Sequence, residues 1–273
     1  STYVGTTAVN CGTLGLTGDV ARLMSPVVTV ATNAALWFGP AAEIRDYIPA
    51  NAALSLDASG GLFGRVILDC DAVAGSLALG GAPQPGGTYG STASAAAYQD
   101  DNYFGGTGML IVPVGIVKEN NADNLNLGTS WVGGVVPSNT ELAIWSNNVL
   151  AANTVSPGAN LSWFGVRILS PGGKVAINSG NTLTNGLGGV DMSVAGQDFA
   201  ADCDIVLGAG QTWNVTNGRV FSAGGIVSGD GELRKAGLGT VYLKGSSTYG
   251  GGTRLMAGTA TASNDNAFGF GPI

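Results

Sequence analysis

The run GDGELRKAGLGTVYLKGSSTYGGGTRLMAGT, Gly229–Thr259, decides how the chain is read. Apolar residues alternate there with polar ones at period two: Leu233, then Val241 and Leu243, then Leu255. Glycine-rich turns separate these runs, and each run is long enough for one short strand and nothing more. A strand, a turn and another strand, repeated, is the pattern of a β-solenoid, in which each coil buries its apolar face against the next.

The same pattern resembles the autotransporter-associated β-strand repeat of bacterial surface and secreted proteins. The residues that carry the resemblance are Gly231, Leu233, Lys235, Gly237, Gly239, Thr240, Leu243, Gly245, Thr248, Tyr249, Gly251, Gly252, Thr253, Gly258 and Thr259. Val241, Ser247 and Ala260 depart from it, standing where that repeat usually has Leu, Asn and Leu. The resemblance implies a right-handed parallel β-helix outside a bacterial cell, and it implies no reaction. The second half of the repeat recurs without a gap at the other end of the chain. Ser1, Thr2, Tyr3, Gly5, Thr7, Gly12 and Thr13 align with Ser247, Thr248, Tyr249, Gly251, Thr253, Gly258 and Thr259.

Composition fits this fold. The 273 residues include 46 glycines, only 11% are charged, and 45% are hydrophobic. Disordered chains combine low hydrophobicity with high charge, the opposite balance. A net charge of -7 argues against nucleic acid and anionic membranes as partners. No apolar run approaches the ~18 residues that span a bilayer. Cys11, Cys70 and Cys203 are too few and too uneven for a disulfide framework, and at least one is expected as a buried thiol.

In chain order, short strands are expected at 13–16, 27–31, 35–38, 52–56, 65–69 and 76–79. A helical turn is expected at 19–24, with Asp19 as cap and Pro26 as stop. Pro83–Ser91 is expected to be a loop. With Asp100, Asp101, Phe104, Gly106, Thr107, Gly108, Leu110 and Val112, it resembles the string that closes a repeat segment in large surface proteins of this type. The polar run Lys118–Asn126 reads as a boundary. Beyond it, Thr129, Trp131, Gly133, Gly134, Pro137, Ala143 and Trp145 resemble the opening of a new segment. Further strands are expected at 142–146, 161–164, 166–169, 174–178, 204–207, 212–215 and 220–222. The expected organisation is a β-solenoid segment over 1–112, a polar linker over 113–127 and a second β-solenoid segment over 128–273.

The chain has no histidine, which removes Ser-His-Asp and Cys-His catalysis and the commonest metal ligand. No phosphate-binding glycine loop and no calcium loop can be read. Cofactor and metal sites are therefore expected to be absent. Carboxylate pairs at Asp69/Asp71 and Asp202/Asp204 leave a carbohydrate-active β-helix enzyme, a polysaccharide lyase or glycoside hydrolase, as an alternative. The competing reading of these acids is a solvated outer face that discourages edge pairing. The five tryptophans are spread along the sequence and read as packing residues rather than as a sugar platform. The function expected is a non-enzymatic extracellular rod or fibre element of a bacterial surface, with adhesion as an added role. Surface glycans are a partner candidate, and a ligand-binding passenger is a further alternative. The chain begins within a repeat at Ser1-Thr-Tyr and finishes on apolar Phe268–Ile273, so copies are expected to join head-to-tail. Ser1, Thr2, Tyr3, Gly5, Thr7, Ser247, Thr248, Tyr249, Phe268, Phe270 and Ile273 are the residues expected at that junction.

Overall fold

The computed structural model describes residues 5–18, 21–41 and 47–273. It is all-β, with one 3-10 turn, Gly128–Ser130, among those residues. Short parallel strands stack in register into a β-solenoid of about 11 turns. The chain divides into two compact units, Ser1–Val114 and Gly115–Ile273, each with its own core.

In the first unit one face is built by Thr7–Val9, Val27–Val30, Ala53–Leu56 and Ser76–Leu79, all parallel. A second face stacks Gly12–Leu16, Ala34–Phe38, Arg65–Leu68 and Phe104–Gly106. A third joins Ala72–Val73 to Leu110–Val112. Alternation sends every second residue inward, and register places equivalent residues one above another. Val28, Leu54 and Leu77 form one such buried file, and Leu36, Val66 and Phe104 another.

Two segments of the expected loop Pro83–Ser91 are strands. Ala82–Pro83 pairs antiparallel with Ser76–Leu79, and Gly87–Gly90 lies antiparallel along Leu110–Val112. The run shows no alternation, so only its partner, distant in sequence, makes it a strand. Tyr89 anchors it. The ring is buried, stacks on Tyr98 at 4.9 Å, and its hydroxyl donates to the Pro85 carbonyl at 2.6 Å. These pieces cover strand edges that would otherwise present unpaired backbone groups. The helical turn expected at 19–24 is not formed over Ala21–Met24, and Asp19 and Val20 lie outside the described residues.

The second unit also has three faces. The first stacks Glu141–Trp145, the end of Leu161–Ile168, the end of Thr182–Met192, Gln211–Val215, Leu233–Ala236 and Thr253–Leu255. The second stacks Asn153–Val155, Val175–Ile177, Phe199–Ala201, Val220–Ala223, Thr240–Leu243 and Thr259–Ala262. The third stacks the start of Leu161–Ile168, the start of Thr182–Met192, Asp204–Leu207 and Val227–Gly229. Leu255, read as part of the apolar pattern, faces outward.

Thr182–Met192, the longest strand, passes through a corner without a break. Its glycines hide it from a sequence reading, which takes them for turns. Gly189 has φ +57, and a Cβ there would lie 2.1 Å from the Thr212 carbonyl oxygen of the next coil. Three of the five tryptophans, scattered in sequence, gather in space: Trp131 meets Trp145 at 5.7 Å and Trp163 at 5.6 Å, both edge-on. Trp213 packs edge-on against Phe221 at 4.8 Å, and Trp37 donates to Asp69 at 2.8 Å. Coiling brings residues of successive turns into one file, so distance along the chain does not measure separation.

Alanine at Gly189 meets both the positive φ and the Thr212 carbonyl. Alanine at Gly218, φ +73 with open space around it, meets only the backbone cost of about 1–2 kcal/mol. Urea unfolding is expected to show Gly189→Ala losing at least twice the stability lost by Gly218→Ala; equal losses would show a pliable corner.

Candidate functional site

The carboxylates come first, because an enzyme would need them to converge. They do not. Asp202 follows the second-face strand Phe199–Ala201, whereas Asp204 opens the third-face strand Asp204–Leu207. The corner at Cys203 separates them. Asp204 Oδ1 accepts the backbone N–H of Ile226, its own register equivalent one coil on, at 2.8 Å. Asp71 does the same for Met109 at 2.8 Å, Asp198 for Val220 at 3.0 Å, and the Asn160 carboxamide oxygen for Thr182 at 3.1 Å. The bonds to Asn160, Asp198 and Asp204 each span 22 residues, the length of one coil. Asp191 is held by Arg167 at 2.9 Å, and Glu232 by Arg234 at 2.7 Å. In Asp-Cys-Asp the cysteine turns inward, and Asp69, Asp71 and Asp204 each serve a different partner. Cys70 and Cys203 are buried, and burial pushes the Cys203 thiol up to about 11. Cys11 is exposed. No cluster of three metal-ligating side chains occurs among the described residues.

Two lysines are cores of polar cages. Lys235, 2% exposed, donates to the carbonyls of Ala236, Gly237 and, one coil on, Ala257 at 2.6, 2.7 and 3.1 Å. Burial lowers its pKa to about 8. Lys118 donates to the carbonyls of Glu119 and Asn121 and to Asn121 Oδ1. Burial lowers its pKa too, against the opposing pull of Asp123 and Glu119. The run Lys118–Asn126 is thus built into the second unit. Ser130 donates to the Asp123 and Asn124 carbonyls and Trp131 to that of Leu125, while the Leu125 N–H reaches Ser156.

Of the residues expected at a junction between copies, Ser1, Thr2 and Tyr3 lie outside the described residues. The expected equivalence of Tyr3 and Tyr249 therefore lies outside them as well. Thr7 opens the edge strand Thr7–Val9, just after Gly5, and its hydroxyl meets that of Ser25. Ser247 and Tyr249 are buried within the second unit, and Tyr249 shares a hydrogen bond with Thr253. The following chain continues the stack. Ser247 N–H donates to Asn266, Phe270 N–H to Tyr249, and Thr253 N–H to Pro272. Phe268 is half-buried and Thr248 exposed, while Phe270 and Ile273 are 71% and 83% exposed.

The feature the sequence reading missed is a shallow groove of about 370 Å³ on the second face, lined by Lys174, Ala200, Asp202, Val220, Ser222, Tyr242 and Lys244. Ala176, Ala200, Ser222 and Tyr242 are register equivalents on four successive coils. Of these Ala200 and Ser222 line the groove, and Tyr242, 37% exposed, rises at one end. Asp202, Gly224 and Lys244 form the neighbouring file. A Cβ on Gly224 would sit 2.2 Å from Asp202 Oδ1, so the missing side chain gives the carboxylate its place. The signal in the sequence was the period of one coil, Ala200, Ser222, Tyr242, which only the register makes visible.

Over 117 residues the chain is 37% identical to the adhesin BmaC autotransporter of Brucella suis biovar 1 (strain 1330). The match covers 41% of this chain and 3% of that much longer protein. No protein-family pattern matches the chain, and no solved structure matches it.

Two outcomes follow from burial. Native protein treated with a thiol reagent should label rapidly at Cys11, with Cys203 reacting only after unfolding; equal rates at both would contradict the packing. Lys235 holds its proton more weakly folded, at about 8, than its ordinary 10.5. The unfolded chain therefore binds more protons between these values, and stability gains as pH rises from about 8 towards 10.5 and loses the gain as pH falls through 8. Chemical denaturation of wild type and Lys235→Met across pH 7–10 should show this rise as a difference between the two curves; parallel curves would refute it.

Proposed function

We propose that the chain is a non-enzymatic β-solenoid segment of a bacterial surface or secreted adhesive protein. On this reading the run Gly229–Thr259 is an autotransporter-associated β-strand repeat. One observation carries the non-enzymatic part: the acids that could form catalytic pairs are separated at the cysteine corners, where Asp71 and Asp204 each accept a backbone N–H of the next coil and Asp69 accepts from Trp37. Similarity to an autotransporter adhesin supports the adhesive and extracellular parts. The chain spans only 3% of that relative, so the role of the whole protein is itself part of the proposal. Display on a non-adherent bacterium is expected to raise retention on epithelial cells or matrix-coated surfaces at least several-fold, with no release of reducing or unsaturated ends from polysaccharides. Unchanged retention would overturn the adhesive role, and sugar release the non-enzymatic one.

A second reading has a specific observation in its favour: Thr259–Ala262 stands at the edge of its sheet, as does Thr253–Leu255, where the Thr253 N–H is taken up by Pro272, and Leu255, Met256, Phe270 and Ile273 are exposed. A further coil would pair there, supplied by continuing chain or by the N-terminal half-repeat of a second copy. In the second case copies join head-to-tail and, unless rotation closes a ring, build a fibre. Subunits of such a fibre should run near 27.1 kDa after denaturation. Deleting Ser1–Thr13 should then leave soluble monomers; fibres of unchanged length would sink the assembly.

A further inference from the structure

We infer that the groove on the second face of the second unit binds an acidic saccharide chain through Lys174, Asp202, Ser222, Tyr242 and Lys244. The inference begins with the cations. Arg65, Lys118, Arg167, Arg219, Arg234 and Lys235 are all engaged by carbonyls or carboxylates. Lys174, Lys244 and Arg254 have no such partner among the described residues, and of these the two lysines line the groove. Asp202, unlike Asp71, Asp198 and Asp204, has no hydrogen bond to the next coil. Ser222 also lines the groove, and its buried hydroxyl oxygen has no hydrogen-bond partner among the described residues. Buried hydroxyls are nearly always satisfied. Two cations and one acid without an ion-pair or hydrogen-bond partner among the described residues thus line a single groove.

Geometry and charge narrow the ligand. Lys174 enters the first of four stacked strands and Lys244 leaves the fourth. Three steps of about 4.8 Å put roughly 14 Å between their coils, so the ligand is extended rather than a small anion. Two ammonium groups against one carboxylate make a positive site on a chain of net charge -7. Negative ligand groups are therefore favoured in the groove and repelled elsewhere. Asp202 in the middle needs a donor, which sugar hydroxyls supply and a phosphodiester backbone does not. The Tyr242 ring offers the flat apolar surface on which a pyranose ring packs, with its hydroxyl free at the edge. The volume lies at the low end for small-ligand sites, which suits one or two sugars held along a longer chain.

This deepens the adhesive reading and rests on it. The test titrates tetragalacturonate into the full chain by calorimetry, with its methyl ester and tetraglutamate as comparisons. Saturable binding to the uronate is expected, weakened at least tenfold in Lys174→Gln/Lys244→Gln and in Tyr242→Ala, and unchanged in Arg254→Gln. Ser222→Ala should weaken binding while raising the unfolding midpoint, a pairing that a merely structural serine would not give. The methyl ester and the peptide should bind at least tenfold more weakly. Equal binding of either, or full affinity in the double lysine variant, would overturn the proposal. Absence of uronate binding would overturn it too and leave the non-enzymatic reading standing, whereas shortening of the uronate would count against that reading instead.

Discussion

Everything in this molecule depends on the backbone of one coil being the hydrogen-bonding partner of the next. Parallel strands about 4.8 Å apart leave each coil unable to satisfy itself. Where a file of side chains meets that spacing, similar residues recur, and at the tightest corners a Cβ has no room. Gly189 shows the limit, because its α-carbon faces a carbonyl of the next coil at a distance no side chain tolerates. The apolar files contribute most of the burial, but the backbone ladder sets which residues share a file. Hydrophobicity drives collapse and the ladder fixes register.

The same constraint explains what the polar residues do. Where a strand begins, its first N–H is offered to the neighbouring coil, and four times a side-chain oxygen one coil back accepts it. Asp or Asn is suited to this because its short side chain reaches an adjacent strand without folding over its own. A buried lysine does the complementary task at a turn, where successive carbonyls point the same way. Lys235 binds carbonyls from two coils and so ties them together, at the cost of holding an ammonium out of water. Acids cap donors and lysines collect acceptors, which leaves few charges for anything else.

How much of this could be read from the sequence follows from the same physics. Fold class was legible because Leu233, Val241 and Leu243 alternate at period two between glycine turns, and most strand positions followed. Gly87–Gly90 and Thr182–Met192 were not, because their glycines carry no pattern and their strand character comes from a partner elsewhere in the chain. The tryptophan cluster was invisible for a related reason: Trp131, Trp145 and Trp163 are neighbours only once the coil length is known. Asp69/Asp71 and Asp202/Asp204 looked like pairs because spacing by two puts residues on one face of a straight strand. The corner at the cysteine breaks that rule and sends the two carboxylates to different faces.

The groove arises where the repeat departs from itself. In a regular file the outward residue of each coil would be alike, and the surface would be flat and featureless. Here Ala176, Ala200 and Ser222 give way to Tyr242, while Gly224 leaves a gap between Asp202 and Lys244. None of these changes disturbs the ladder, since outward side chains take no part in it. A solenoid can therefore alter one file without altering its fold, and a binding surface can be written onto it one coil at a time. The unsatisfied Ser222 hydroxyl marks where that freedom has been used against stability rather than for it, because an alanine there would pack equally well and leave no bare polar atom.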